Sequence, residues 1–421
     1  MSISLEQLSR LLLFVAITFY IGVFGFVSRL LSGGVSYGDF EAAASGNKIN
    51  QLTILFLLLL SCFILFNNKQ ITMRHILHLS WGWIILLGFF VISIIWSVEP
   101  GVSVRRIIAL SSLVVICMTL AMLFRAESLL NYLASSIALI ALIGLVYMLL
   151  IGKGISFDLS SRGSAMKGIF FDKNAAARVY AYGLILFVGL RRYRRSIDIL
   201  AIVVLAISLI ACASASGLVI ALLGIALIIS FRIFKGANKR QALARLSVLM
   251  MCFVVGAYIV SGLYDYILAL LGRDPELTNR AIIWQLITPY IHDNIMLGYG
   301  FGAFWASDQV STFIDRWGFI GNAHSGYLEI LLHGGVVCFA LLCALLCLHA
   351  KHFIQLYMRA VFADFAGVLL ALLVVQLVGN YIGYLIINHN NFDMFVLTLC
   401  FFVAANLNHR IQAQQYNYAR S

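Results

Sequence analysis

The stretch IGNAHSGYLEILLHGG, residues 320–335, places His324, Glu329 and His333 at the mouth of a long apolar run. Ionisable groups at such a position are costly and usually functional. An imidazole can take a proton from a hydroxyl near neutral pH, provided it is itself neutral. The positive end of a helix, or a nearby arginine cluster, would keep it so. Asn322 reads as an N-cap, which puts His324 in the first turn of the following helix. The other reading of His324 is an interfacial residue that only caps that helix. Glu329, five residues on, would point away from His324's face, and His333 would pack against neighbouring helices. His389, in YLIINHNNFD, ends another apolar run, but its spacing does not tie it to the same place.

Arginines supply the complementary chemistry. In LTNRAIIWQLI, Arg280, Trp284 and Ile287 fall on one helical face at i, i+4 and i+7. A guanidinium beside the membrane surface suits a phosphate, because its planar fork never loses its charge. The alternative is a snorkelling arginine, or one paired with Asp274 or Glu276. A second basic segment, DLSSRGSAMKGIFFDKNAAARVY, gathers Arg162, Lys167, Lys173 and Arg178 against Asp158 and Asp172. Arg178 falls a turn inside an apolar run, where a charge faces the bundle interior and finds an anionic partner. It reads as part of a cationic pocket for a pyrophosphate, or as an ion pair with Asp172 or Glu99. The glycines of GYGFGAFW follow no strand, which argues against a dinucleotide fingerprint and for a flexible, aromatic, substrate-facing loop.

These residues must be positioned by membrane helices. Of 421 residues, 62% are hydrophobic and only 11% charged, far from the balance of a soluble domain. Apolar runs of about 20 residues predict twelve spans. They lie near 10–31, 50–67, 78–98, 106–124, 129–151, 174–190, 197–214, 217–233, 245–264, 325–349, 361–383 and 390–408. The first should remain in the mature protein. Basic clusters at 191–195, 231–245 and 351–359 place both termini in the cytoplasm. Loops 32–49, 152–173 and 265–324 then lie outside, the last within a single integral domain spanning 1–421. On this map the formal charge of +12 is topogenic Lys and Arg, and no nucleic-acid partner is expected. The eight cysteines lie in apolar runs without a CxxC pair, so neither a disulfide framework nor a zinc site is indicated. No HExxH or GxxxxGK occurs either, and the reading calls for no metal and no cofactor.

Four segments together, LTNRAIIW, LGYGFGAFW, NAHSGYLEILLHGG and the earlier GIFFDKNAAAR, resemble the Wzy polymerase and O-antigen ligase superfamily, with the nearest likeness to ExoQ-type exopolysaccharide polymerases. The resemblance implies an all-α inner-membrane bundle of about twelve spans, a GT-C-type glycosyltransferase with a large extracytoplasmic loop. It implies an undecaprenyl-pyrophosphate-linked glycan donor, a glycan or glycolipid acceptor, surrounding membrane lipid, and a chain-length regulator and flippase as companions. By the same resemblance Arg280 holds the pyrophosphate and His324 acts on the acceptor hydroxyl. Lys173, Asn174 and Arg178 match its K-N-x-x-x-R stretch, with Arg162, Trp284 and Tyr327 as further substrate contacts. The chain departs from the pattern at Asp172, where a histidine is common, at Asn279 in place of glycine, and at Ser325 in place of asparagine.

The expected reaction joins lipid-linked repeat units into a surface polysaccharide at the periplasmic face. One rival is the ligase that moves the same glycan onto lipid A core. Another is a polytopic transporter or flippase, against which stand the lack of an internal repeat and the single dominant outer loop.

Overall fold

The computed structural model describes residues 4–31, 47–158, 163–193, 195–235, 241, 278–310 and 320–418. The predicted span 245–264, Arg162, most of loop 32–49 and residues 265–277 lie outside them. The described chain is almost wholly helical: α1 (Leu5–Tyr20), α2 (Val23–Leu31), α3 (Lys48–Asn67), α4 (Met73–Ile92), α5 (Pro100–Leu123), α6 (Ala126–Ile151), α7 (Lys173–Gly189), α8 (Ser196–Ala211), α9 (Ala215–Phe234), α10 (Thr278–Asp293), α11 (Gly326–Tyr357), α12 (Ala363–Tyr381) and α13 (Phe392–Tyr418). Side-chain caps set many of the starts. Ser4 and Gln7 form a capping box, Asn47, Thr72, Asp172 and Ser214 each accept from the first turn, and Pro100 opens α5.

Among the described residues, eight helices are long and apolar enough to cross a membrane, and nine if α1 and α2, bent by 63°, count as one span. The protein is a multi-pass membrane protein. Two of the twelve predicted spans, α7 and α8, are shorter than the rest, at 17 and 16 residues. The predicted loop 152–173 contains a small antiparallel hairpin, Ile155–Asp158 with Gly163–Met166. Large side chains such as Phe14, Phe56, Leu59, Phe66 and Leu150 are exposed along the bundle's outside. Water would penalise such a surface, whereas hydrocarbon does not. Helices α5, α12 and α13 are mostly enclosed, and α7 is packed by α6, α8, α9 and α12.

A second, smaller apolar cluster sits over one end of the bundle. It joins Ile283, Ile287 and Ile291 of α10 to Tyr299, Phe304, Trp305, Ala323 and Leu332. The expected flexible loop GYGFGAFW is instead packed core, with Phe301 and Phe304 fully buried and Trp305 2% exposed. Its backbone is stitched to α5 and its approach. Ser103 Oγ donates to Phe301 O at 3.0 Å, an Arg106 Nη donates to Gly302 O at 2.6 Å, and Val98 N donates to Tyr299 O at 3.0 Å.

The same loop explains the end of the opening stretch. Helix α11 breaks at Gly334 and Gly335, where φ reaches +61°. A side chain on Gly335 would strike the backbone of Ile295 and Met296. The groups the break releases find partners in the loop: Val336 N donates to Ile295 O and Tyr299 N to Leu332 O, both at 2.8 Å. Residues 326–333 therefore form a short, separately held segment directly after His324.

Candidate active site

Helix α10 is fixed across the turn that carries His324. Trp284 donates its indole N–H to Ala323 O at 3.0 Å and packs edge-on against Tyr381, 5.6 Å between centroids. Arg280 lies one turn from that anchor, on the same face, which brings its charge beside His324 and Arg178. The i, i+4 spacing read in the sequence is thus the geometry that delivers the guanidinium. Arg280 is partly buried, and burial first, then the Arg178 charge, push its pKa down. Among the described residues no hydrogen bond or ion pair engages its guanidinium. Its other expected partners, Asp274 and Glu276, lie outside the described residues.

His324 does not sit in the first helical turn. Helix α11 begins at Gly326 with Ser325 as its N-cap, and Asn322 closes a turn instead, accepting the His324 N–H at 2.9 Å. The asparagine side chain outcompetes helix entry here, as short polar side chains commonly do. A side chain on Gly326 would meet the Asn380 amide, and Gly326 N donates to Gly383 O at 2.8 Å, so the helix can start only there. His324 itself has φ +49°, a left-handed conformation that costs a non-glycine residue about 1–3 kcal/mol. Burial, then the Arg280 charge, lower its pKa from 6.5, with Glu329 and Asp172 acting the other way. The expected neutral imidazole is supported by these causes rather than by a helix dipole.

Arg178 finds its anionic partner, though neither Asp172 nor Glu99. It pairs with Asp393 at 3.3 Å, and Tyr182 donates to the same carboxylate at 2.6 Å, while Gln376 holds the Asp393 carbonyl at 2.8 Å. Asp393 begins an apolar run as Arg178 does, so the depth argument that selected one could have selected the other. Asp172 is the N-cap of α7, accepting from Asn174 N and Ala175 N. That accounts for an acid at this position. Lys173 begins the same helix, and Asn174 accepts from Ser214 at 2.8 Å. Tyr327 donates its hydroxyl proton to Leu377 O at 2.8 Å, which leaves its ring and an accepting oxygen for a substrate.

Glu329, expected to point away from His324, is placed otherwise. It is 1% exposed and does reach the His324 turn: Oε2 accepts from Ala323 N at 2.8 Å and from the Trp305 indole at 3.1 Å, and Oε1 lies 3.2 Å from His333 Nε2. The wheel argument failed because it counted His324 as helical. His389 approaches this group from the 382–391 turn. Its pKa is pushed down to about 3 by burial and by the Arg106 and His333 charges.

His324, Arg280 and Arg178 thus come from three separate elements to one end of the bundle. Residues 200–343 match the model of the O-antigen ligase family. That places this stretch in the Wzy/O-antigen ligase superfamily. No curated protein matches the chain. The matched stretch carries Arg280, Trp284 and His324, while Arg178 and the hairpin before it fall outside. The match indicates polysaccharide polymerase or ligase activity, of a glycosyltransferase-like kind, on lipid-linked glycans.

Proposed function

We propose that the protein is an ExoQ-type polymerase that joins undecaprenyl-pyrophosphate-linked repeat units at the periplasmic face of a bacterial inner membrane, with both termini cytoplasmic. The observation that carries this reading is the convergence of Arg178, Arg280 and a partly buried His324 whose pKa is lowered. Arg280 takes the donor's pyrophosphate directly. Arg178, ion-paired with Asp393, contributes rigidity, with Lys173 and Arg162 in the same basic segment of the sequence. His324 accepts the proton of an acceptor hydroxyl, whose oxygen attacks the anomeric carbon. The bond from that carbon to the pyrophosphate oxygen breaks, and its electron pair leaves on undecaprenyl pyrophosphate, where fixed cations stabilise it. The leaving group supplies the drive.

The ligase reading shares every donor step and is favoured by the description of the matched family. Purified protein in sealed vesicles of known orientation, given lipid-linked oligosaccharide on one face, separates the possibilities. Chain elongation with substrate on the periplasm-facing side is the expected result. Transfer only when a lipid A core acceptor is added would assign a ligase. Movement of substrate across the membrane without a new glycosidic bond would overturn both.

A further inference from the structure

Ala323, the residue before His324, is gripped from two sides. Its N–H is held by Glu329 at 2.8 Å, and its C=O by the Trp284 indole at 3.0 Å. The same carboxylate oxygen accepts from the Trp305 indole, which is rooted in the packed loop. A buried carboxylate is tolerated when it is hydrogen-bonded, and here Oε2 accepts from both Ala323 N and the Trp305 indole, while His333 Nε2 lies 3.2 Å from Oε1 without a hydrogen bond. Arg106 and Tyr384 face Glu329 electrostatically from α5 and from the 382–391 turn. We propose that Glu329 is a positioning residue, whose carboxylate holds the left-handed turn that presents His324 and whose negative charge opposes the cations acting on that imidazole. This rests on His324 acting as the base in the reaction proposed above.

The geometry explains why a strained backbone persists. A residue in the left-handed region stays there only when its surroundings over-determine it. The backbone N–H and C=O of Ala323 are fixed by groups on different elements, and His324 N is fixed by Asn322. Loss of the Glu329 acceptor orphans two buried N–H groups at once and frees the turn to relax. The charge acts separately. His324 feels Arg280 as a positive neighbour and Glu329 and Asp172 as negative ones, so neutralising Glu329 lowers the imidazole pKa further.

Two variants separate these effects from simple destabilisation. Glu329→Gln keeps an oxygen for both N–H groups but removes the charge. It should retain most single-turnover activity per folded molecule while the acid limb of the rate moves to lower pH. Glu329→Leu removes the acceptor and should lose about 10²-fold in turnover, as expected for a misplaced catalytic group. Its affinity for the lipid-linked donor, held by Arg280, should stay within a few-fold of wild type. His324→Ala is the control. If His324→Ala turns over normally, the base assignment itself is wrong. If His324→Ala is inactive yet folded Glu329→Leu matches wild type, the positioning role is wrong. Should Glu329→Leu fail to fold, an acid limb unmoved in Glu329→Gln still overturns the proposal.

Discussion

Histidines and arginines gather at both ends of this bundle, and the two ends arrange them differently. At the His324 end three acids among the described residues are committed. Asp172 caps α7, Asp393 neutralises Arg178, and Glu329 holds the Ala323 peptide. Among the described residues neither Arg280 nor His324 forms an ion pair with a carboxylate, and Arg280 places its charge beside the imidazole. At the opposite end His75 and His409 stack at 4.2 Å and 19°, with His78 5.3 Å from His409. Arg410 donates to Met122 O and Asn406 to Ala121 O, both at 2.7 Å. Those groups finish the exposed carbonyls at the C-terminus of α5, a structural task. Cavities of about 420 and 580 Å³ open there, and another of about 880 Å³ lies between α1 and α6. None of them is lined by His324, Arg280 or Arg178. Among the described residues no group of His, Cys, Asp or Glu is placed to hold a metal ion. The contrast teaches that cavity size and histidine count are poor guides here. What sets the His324 end apart is arginine charge beside a partly buried imidazole.

The sharpest way to break the comparison is at His324. A positioned base contributes about 10²–10⁴-fold, so His324→Ala should lose turnover of that order while still folding and binding donor. The base must be neutral, and burial with Arg280 sets its pKa below 6.5. Activity should therefore be full at neutral pH and fall as pH drops through a value under 6.5, and this limb should vanish in the variant. A variant that melts earlier but keeps its rate per folded molecule would reduce His324 to a turn residue.

Arg280 comes next. A hydrogen bond to a charged group is worth about 1.5–3 kcal/mol. Arg280→Ala should therefore weaken donor binding by roughly tenfold to a hundredfold, and Arg280→Lys by less, because a lysine keeps the charge without the fork. Equal affinities in all three proteins, measured with the lipid-linked donor, would make Arg280 a surface residue. The two ends would then be alike.

Much of this was legible in the sequence, and the failures have physical causes. Span positions follow from the length of apolar backbone a bilayer requires, so α3 to α6 and α11 to α13 fall close to where the apolar runs place them. The Arg280–Trp284 spacing was also readable, because both residues lie on one helix face. Three things were not. The Arg178–Asp393 pair joins positions 215 residues apart, which no local pattern encodes. The turn at Asn322 shifted the start of α11 past His324, and a few residues at about 100° each were enough to misassign Glu329. Finally, the glycines of GYGFGAFW signalled irregular backbone, which was taken for mobility. Here they let a buried loop lie against the break at Gly334–Gly335 and against the Arg106 side chain.

The smallest effect is predicted at the far end, and it tests the comparison from the other side. Arg106 and Met122 mark the two ends on α5, 16 residues or about 24 Å apart. The stacked His75–His409 pair adjoins Met122, through Arg410, and shares no residue with the site around His324. His75→Ala and His409→Ala should thus leave donor affinity, single-turnover rate and the acid limb unchanged. Any cost should appear as a lower melting temperature, from loss of ring packing beside the α5 terminus. The double variant should behave as the sum of the singles in rate, and less than additively in stability, because the two rings share one contact. Rates across pH and melting curves on the same four proteins decide it. A tenfold loss of turnover in a folded His75→Ala protein would mean that the two ends communicate, and the division of labour drawn between them would have to be abandoned.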